Sequence, residues 1–259
     1  MINDIILKEI DDEFLNGDII GLKDEWSHYK YKDFPVPRVT EVLKCAQLSN
    51  EGLIRWANAM GFKHLNSAKL RDRAAYLGSM IHDGIEKFIK TGKVEYPKNI
   101  VYEDENAYEI FTNAMRGFTN FWNNYRFIDQ IKTIEMEQKV VTPYFGGTFD
   151  LLITLKNGKK YLYDFKTTNY IKDSQFVQLS AYYYALREFY NTRLNGVGVL
   201  LINKNKPLCE EYFIDFEIDN NLSFINQCEN TFISILHTYY NLKVTDIMFN
   251  EYLANYRRD

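Results

Sequence analysis

The sequence has few cysteines, and this shortage excludes two classes of protein. Its 259 residues include three cysteines, Cys45, Cys209 and Cys228, which are far apart and outside any metal-ligand spacing. An iron–sulfur cluster takes more thiolates than these three provide, so the chain cannot supply one by itself. An odd number of scattered cysteines also argues against a disulfide framework and fits a reducing compartment.

Long apolar runs are also absent from the sequence. No run approaches the roughly 20 consecutive residues that cross a bilayer. The first residues include acids such as Asp4 and Glu9, where a secretory signal carries basic and apolar residues. We therefore expect a cytoplasmic protein with no membrane partner.

The chain lacks a net positive charge, since its formal net charge is −4. The field of the whole protein therefore gives no general attraction to nucleic acid, and any such binding must come from a local basic patch. An acidic metal site is compatible with this charge, because the bound ions neutralise it. What the sequence does have is 46% hydrophobic and 25% charged residues, the balance of a globular protein with a large core.

Hydrophobic periodicity predicts a helical first half and a second half that contains the strands. A first helix is predicted to begin near Thr40. Five more are predicted over 51–59, 68–90, 104–125, 174–190 and 222–242, with Gly61 and Gly92 as stop signals. From Thr133 onward, alternation predicts three antiparallel strands with turns at PYFGG and NGKK. Two further strands are predicted over 196–204 and 210–218.

This order of elements predicts an α/β fold in one integrated domain. Residues 1–130 form a mostly helical N-terminal region that carries His82, and residues 131–259 form the core sheet with its flanking helices. No internal repeat and no linker rich in proline, glycine or serine marks a boundary between them.

Three residues on neighbouring predicted strands have the chemistry of a metal-dependent hydrolase. Side chains alternate along a strand, so Asp164 and Lys166 share one face. Asp150 lies on the preceding strand, and the NGKK turn folds the two strands together. Two carboxylates hold Mg²⁺ through oxygen ligands, and a lysine offsets developing charge. The alternative is a solvated Asp-x-Lys pair, but the apolar neighbours of Asp164 favour a buried strand.

Further polar residues lie around this trio. His82 and Glu86 are one turn apart on the flank of an apolar helix stripe, and Glu137 lies on the first strand. A flank histidine is more often a surface or core residue, and an acid on an alternating strand is more often solvated. Gln178 and Tyr182 share one helix face, which can bond a phosphate or a base, or form an ordinary polar surface.

With these residues assembled, the chain resembles the PD-(D/E)XK nuclease superfamily, and within it the RecB-like exonuclease branch. Five segments carry the resemblance over residues 36–203, in this order: PRVTEVL, GSMIHDGIEKF, GGTFD, DFK and QLSAY. PRVTEVL together with Trp56 is similar to phage exonucleases and the mitochondrial genome-maintenance exonuclease. Phe149 stands where the superfamily's name has proline, and the cysteine cluster of the iron–sulfur members is missing.

The resemblance implies a restriction-endonuclease-like core, in which a central mixed β-sheet is flanked by helices, plus the N-terminal helical region. It also implies Mg²⁺ or Mn²⁺ as the cofactor, as one or two ions, and no iron–sulfur cluster. The implied site residues are His82, Asp150, Asp164 and the Phe165 carbonyl as metal ligands, Lys166 as the catalytic lysine, Gln178 and Tyr182 at the substrate, and Glu86 and Glu137 as helpers.

We therefore expect a Mg²⁺- or Mn²⁺-dependent DNA exonuclease that acts on DNA with a free end or on single strands. The resemblance suggests a role in phage or bacterial DNA replication, recombination or degradation, in the host cytoplasm if the protein is phage-encoded. Two alternatives remain open. One is a non-catalytic nucleic-acid-binding or assembly subunit with a nuclease fold, and the other is a structure- or sequence-specific endonuclease.

Overall fold

The structure, a computed structural model, describes residues 29–32, 34–46, 51–97, 106–218 and 221–256. The expectations for the residues before Tyr29, and for the start of the helix predicted at 104–125, lie outside these ranges. The helices are α1 (Val39–Cys45), α2 (Glu51–Phe62), α3 (Ser67–Thr91), α4 (Ala107–Asn123), α5 (Asp173–Phe189) and α6 (Asn221–Tyr256). The strands are β1 (Tyr29–Tyr31), β2 (Phe34–Val36), β3 (Ile131–Val141), β4 (Gly146–Leu155), β5 (Lys160–Lys166), β6 (Gly196–Ile202) and β7 (Cys209–Asp215).

The strands β3 to β7 form one five-stranded sheet in sequence order. The pairs β3–β4, β4–β5 and β6–β7 are antiparallel, whereas β5 and β6 are parallel because α5 crosses between them. β6 is buried along its whole length, as expected for a strand covered on both faces. The predictions of an α/β fold with a central mixed sheet, and of an antiparallel run of three strands, are confirmed.

Helices cover both faces of this sheet, each over its own cluster of buried side chains. α1, α5 and α6 pack on the face that Leu152 and Leu162 occupy. α3 and α4 pack on the other face, where Ile81 and Phe118 join one cluster with Phe165. The helical N-terminal region therefore shares a core with the strands, and α3 is fixed to the sheet.

Most helix ends match the sequence predictions, with two exceptions. α3 ends as predicted at Gly92, whose φ of 71° lies in the left-handed region that glycine adopts freely. α2 continues through Gly61 to Phe62, because a glycine inside a helix costs only about 1 kcal/mol. α6 continues to Tyr256, beyond the predicted end at residue 242. Among the side chains of this helix that the structure describes, Tyr240 is the last buried one, so the predicted end at residue 242 marks the end of the buried stretch and not of the helix. Within the described ranges, no helix combines the length and the apolar character that crossing a membrane requires.

The packing of α3 on the sheet predicts a large difference between two isoleucines. Ile81 is fully buried, whereas Ile54 on α2 is 57% exposed. We expect Ile81→Ala to lower the free energy of unfolding by about 2–5 kcal/mol, because it removes buried methyl groups and leaves a cavity. Ile54→Ala, the matched control, should change it by less than about 0.5 kcal/mol. Urea denaturation followed by circular dichroism measures both changes, and equal losses would contradict this packing.

Candidate metal centre

The candidate site lies where β4 and β5 separate. The last residue pair of their ladder at this end is Leu151–Tyr163, so Asp150 and Asp164 lie just beyond it. The backbone amide of Phe165 donates a hydrogen bond to Oδ2 of Asp150 at 2.5 Å. This bond joins the two strands after the ladder has ended, and it anchors the Asp150 carboxylate between them.

Strand register brings three carboxylates into one row. If the β4–β5 register is continued by one residue, Asp164 lies opposite Asp150. Within the β3–β4 ladder, the register places Glu137 opposite Asp150. The β3–β4 ladder continues on both sides of this row with strands about 4.8 Å apart, so Glu137 and Asp150 are near neighbours, and the Phe165–Asp150 hydrogen bond keeps β4 and β5 close at Asp164. Glu137 also has a φ of 50°, in the left-handed region that side chains other than glycine rarely adopt. Strain of this kind is concentrated at functional sites.

His82 reaches the same place from α3. The buried stripe of this helix, which includes Ile81 and Ile85, faces the sheet and fixes the histidine beside it. Its Nδ1 lies 3.8 Å from Oδ1 of Asp150, and its ring contacts Phe165 edge to face with centroids 5.6 Å apart. His82, Glu137 and Asp150 each offer one ligand atom, and these atoms lie within 4.8 Å of one another.

Burial and mutual repulsion disfavour negative charge in this cluster. Burial, with the charge of Asp164, raises the pKa of Asp150 to about 8. Partial desolvation and the Asp150 charge raise the pKa of Glu137, an exposed residue, to about 7. Burial also lowers the pKa of His82, although nearby acids and a hydrogen bond to the Phe165 backbone oppose this. The shifts favour the neutral forms of His82 and Asp150, so their 3.8 Å approach is not a strongly charged pair in the absence of a cation.

Lys166 and Asp164 lie on one face of β5, as alternation predicts. Asp164 is 3% exposed, and the Lys166 ammonium forms an ion pair with its Oδ2 at 2.6 Å. That oxygen is buried and accepts no well-aligned hydrogen bond from the described residues. Lys166 donates to Oε1 of Gln178 at 3.2 Å, and Gln178 donates to the Tyr182 hydroxyl at 3.3 Å. The two predicted residues of α5 are thus linked to the carboxylates through the lysine.

Glu86 lies at the edge of the site. It forms an ion pair with Lys90 one turn further along α3, and its charge helps to raise the pKa of Glu137. Like Asp164, which was also predicted as a metal ligand, it lies outside the group of three whose ligand atoms converge among the described residues. Gln175, which shares a helix face with Gln178 in the sequence, accepts a hydrogen bond from the Lys172 amide and caps the start of α5.

Several contacts around the site have no signal in the local sequence. The Tyr29 hydroxyl lies 2.8 Å from Oγ1 of Thr148, a contact between residues 119 positions apart. A Cβ on Gly147 would lie 2.4 Å from the Tyr182 ring, so only glycine lets this tyrosine approach β4. Gly78 brings α3 close to the end of β5, since a Cβ there would lie 3.2 Å from Oγ1 of Thr167. The Gly-x-x-x-His pattern contains Gly78 and the GGTFD pattern contains Gly147, but neither pattern predicts which residue packs against its glycine.

The donor set of this cluster suits Mg²⁺ or Mn²⁺. Carboxylate oxygens are the ligands that hard divalent cations prefer, and the single imidazole of His82 is better matched to Mn²⁺ than to Mg²⁺. The buried oxygen of Asp164 that accepts no well-aligned hydrogen bond, and the acids whose pKa is raised, are what a cation would satisfy. The residues present therefore fit such an ion.

The raised pKa of Asp150 predicts how stability changes with pH in the absence of metal. A carboxyl whose pKa rises on folding contributes most to stability at acid pH, and that contribution is lost as the pH increases through about 8. Between about pH 7 and 9, His82 is largely neutral in both states. We expect the thermal midpoint in EDTA to fall over this window, and to fall less in Asp150→Asn, which cannot ionise.

Mn²⁺ should reverse this loss of stability, because it takes the place of the protons. We expect the rise in thermal midpoint on adding Mn²⁺ to be largest at about pH 9 and much smaller in Asp150→Asn. A ligand at about 100 times its Kd adds about 2.7 kcal/mol, which is several degrees for a protein of this size. Differential scanning fluorimetry measures the midpoints. A wild-type thermal midpoint that changes neither with pH nor on adding Mn²⁺ would show that these residues do not form a metal centre.

Comparisons with known proteins leave the family of this chain open. No family model matches the sequence, and no curated protein matches it. Among solved structures, SSO0001 aligns over 89% of this chain and 85% of its own, with a TM-score of 0.37 and 18% sequence identity. At that TM-score the similarity does not bear on function.

Proposed function

We propose that this protein is a divalent-metal-dependent nuclease that hydrolyses phosphodiester bonds in DNA. The observation that carries the proposal is the convergence of Asp150, Asp164 and Lys166 where β4 and β5 separate. His82 and Glu137 complete the group of ionisable residues there. Carboxylates that hold a cation, next to a lysine, are the combination that phosphodiester hydrolysis uses.

The carboxylates and the histidine are the proposed ligands. When bound, Mg²⁺ or Mn²⁺ supplies positive charge to the scissile phosphate and lowers the pKa of a water molecule. His82, Glu137 and Asp150, whose ligand atoms converge, would hold the ion, and Asp164 would join them from β5. The Phe165 backbone lies among these groups, since its amide bonds Asp150 and its backbone is also hydrogen-bonded by His82.

Lys166 is the proposed catalytic residue that does not bind metal. The ion pair with Asp164 and the hydrogen bond to Gln178 fix its ammonium from two sides. A cation in that position neutralises charge that develops on the phosphate and orients the attacking water. Gln178, itself hydrogen-bonded to the Tyr182 hydroxyl, keeps the ammonium aligned.

DNA with a free end, or single-stranded DNA, is the proposed substrate. The preference for ends follows from the resemblance of PRVTEVL and Trp56 to phage exonucleases, not from the geometry of the metal centre. A non-catalytic nucleic-acid-binding subunit is disfavoured, because it has no need of a buried acid pair with a lysine, which costs stability.

Replacing the lysine tests the catalytic assignment. We expect Lys166→Met to slow DNA hydrolysis by about 10²–10³-fold, as the loss of one charge-stabilising donor does in other hydrolases. Lys160→Met is the matched control, because Lys160 begins the same strand and alternates to the same face, but lies at the end far from the metal centre. Nucleotide release from end-labelled DNA with Mn²⁺ measures the rate, and circular dichroism verifies folding. Full activity in Lys166→Met would contradict the proposed site.

Linear and circular DNA distinguish an exonuclease from an endonuclease. We expect end-labelled linear DNA to be degraded and a covalently closed circle of the same sequence to stay intact. Asp164→Asn should lose the activity, because it removes a buried ligand. If the wild type linearises the circle and Asp164→Asn does not, the protein is an endonuclease and not an exonuclease. Binding without hydrolysis in Mg²⁺ and in Mn²⁺ would favour the non-catalytic subunit.

A further inference from the structure

The helical arm, which consists of α2 and of α3 as far as Tyr76, lies outside the buried core. No described side chain of the arm belongs to either cluster of buried residues, and that of Phe62 is 88% exposed. α3 is one continuous helix to Thr91, so its packed second half fixes the direction of the arm. The arm is therefore an exposed surface in a fixed position relative to the metal centre.

Positive charge is concentrated on the helical arm. Its two acids, Glu51 and Asp72, are outnumbered by five basic residues, which gives residues 51–76 a formal net charge of +3 in a chain whose net charge is −4. The basic residues are Arg55, Lys63, Lys69, Arg71 and Arg73. A basic surface of this kind attracts an anionic partner locally, although the protein as a whole does not. Nucleic-acid binding by an acidic protein requires such a local patch.

Arg71 lies on the face of α3 that leads to the metal centre. It precedes His82 by eleven residues, about three turns, so both side chains leave the helix on the same side, about 16.5 Å apart along its axis. Gly78 lies between them on this face and passes close to Thr167, just beyond the end of β5. The Arg71 side chain is 66% exposed, and its contact with Asp72 at 3.3 Å is an exposed ion pair, which contributes little. An anion from outside the protein can therefore reach the guanidinium.

A second pair of basic residues lies at the same end of the sheet. Lys204 follows β6 at its carboxyl end, which is also where the parallel strand β5 carries Lys166. Burial and the charge of Arg73 lower the pKa of the Lys204 ammonium, so the two cations are close enough to repel each other. A bound anion relieves such repulsion. The arm thus brings positive charge next to the edge of the sheet that holds the metal centre.

We propose that the helical arm binds the phosphate backbone of the nucleic-acid strand that enters the metal centre, with Arg71 as its main contact; this rests on the proposed function. A strand carries a phosphate at every nucleotide, so one phosphate can lie at Arg71 while another lies beside His82. The planar fork of a guanidinium matches phosphate oxygens in charge and in geometry. The exposed rings of Phe62 and Tyr76 offer faces on which unpaired bases stack, which favours a single strand.

Arg71→Gln tests the proposal in the full chain, because glutamine keeps a polar side chain of high helix propensity and removes the charge. Two exposed basic residues provide matched controls. Lys69→Gln removes a charge from the arm about 140° around the helix from His82. Arg193→Gln removes one at the amino end of β6, at the opposite end of the sheet from the metal centre. Fluorescence anisotropy of a labelled single-stranded oligonucleotide gives Kd over a range of KCl concentrations, in EDTA, which withholds the metal that cleavage needs.

We expect Arg71→Gln to raise Kd about five- to tenfold at low salt. The slope of log affinity against log salt should become shallower by about 0.7, the value for one phosphate contact on a single strand. Arg71→Lys should restore the slope, because lysine binds phosphate as a point charge. Lys69→Gln and Arg193→Gln should change the slope much less. The thermal midpoints of all four variants should lie within about 2 °C of the wild type, since these residues are exposed.

Four outcomes would contradict this assignment. An unchanged slope in Arg71→Gln overturns it, and so does an equal change in all three glutamine variants, which would show a general field and not a contact. Binding of the wild type to phosphatidylserine vesicles but not to the oligonucleotide, measured by co-sedimentation, would assign the arm to a lipid surface instead. If the wild type neither binds nor hydrolyses DNA, the proposed function fails and takes this inference with it. If it hydrolyses DNA while the slope in Arg71→Gln is unchanged, this inference fails alone.

Discussion

One hydrogen bond, from the Phe165 amide to Asp150, joins β4 to β5 beyond the end of their ladder. Strands that separate carry their side chains apart, because the spacing of about 4.8 Å holds only while the ladder continues. The carboxylate replaces the missing carbonyl partner, so the acids of both strands stay together. His82 and Glu137 approach the Asp150 carboxylate at this junction.

The same junction lowers the stability of the folded protein at this site when no cation is bound. It holds Asp150 next to the buried Asp164, and the raised pKa of Asp150 expresses that cost. The left-handed backbone of Glu137 adds strain nearby. The rest of the fold offsets these terms, since aromatic residues such as Phe118 and Phe165 pack densely on the α3 and α4 face of the sheet. A stable core thus supports a locally unstable cluster.

The features of the site that can be predicted from sequence are those that follow the periodicity of a single strand or helix. Alternation placed Asp164 and Lys166 on one face, and helical spacing gave the buried stripe of α3 beside His82. Register is not local, because it depends on how the chain turns between β3 and β4, and a slip of one residue would send Glu137 to the other face. Contacts such as Arg38 with Gly146 join distant positions, so no period in the sequence marks them.

The sequence distance between His82 and Asp150 has a consequence for the protein as a whole. The two residues are 68 positions apart, and α4 lies between them. An ion ligated by both would close that loop as a removable cross-link, and the entropy that such a link removes from the unfolded chain grows by about 0.6 kcal/mol for each doubling of loop length. Chelation would then loosen α3 and α4 as one unit while the meander of β3, β4 and β5 keeps its own hydrogen bonds.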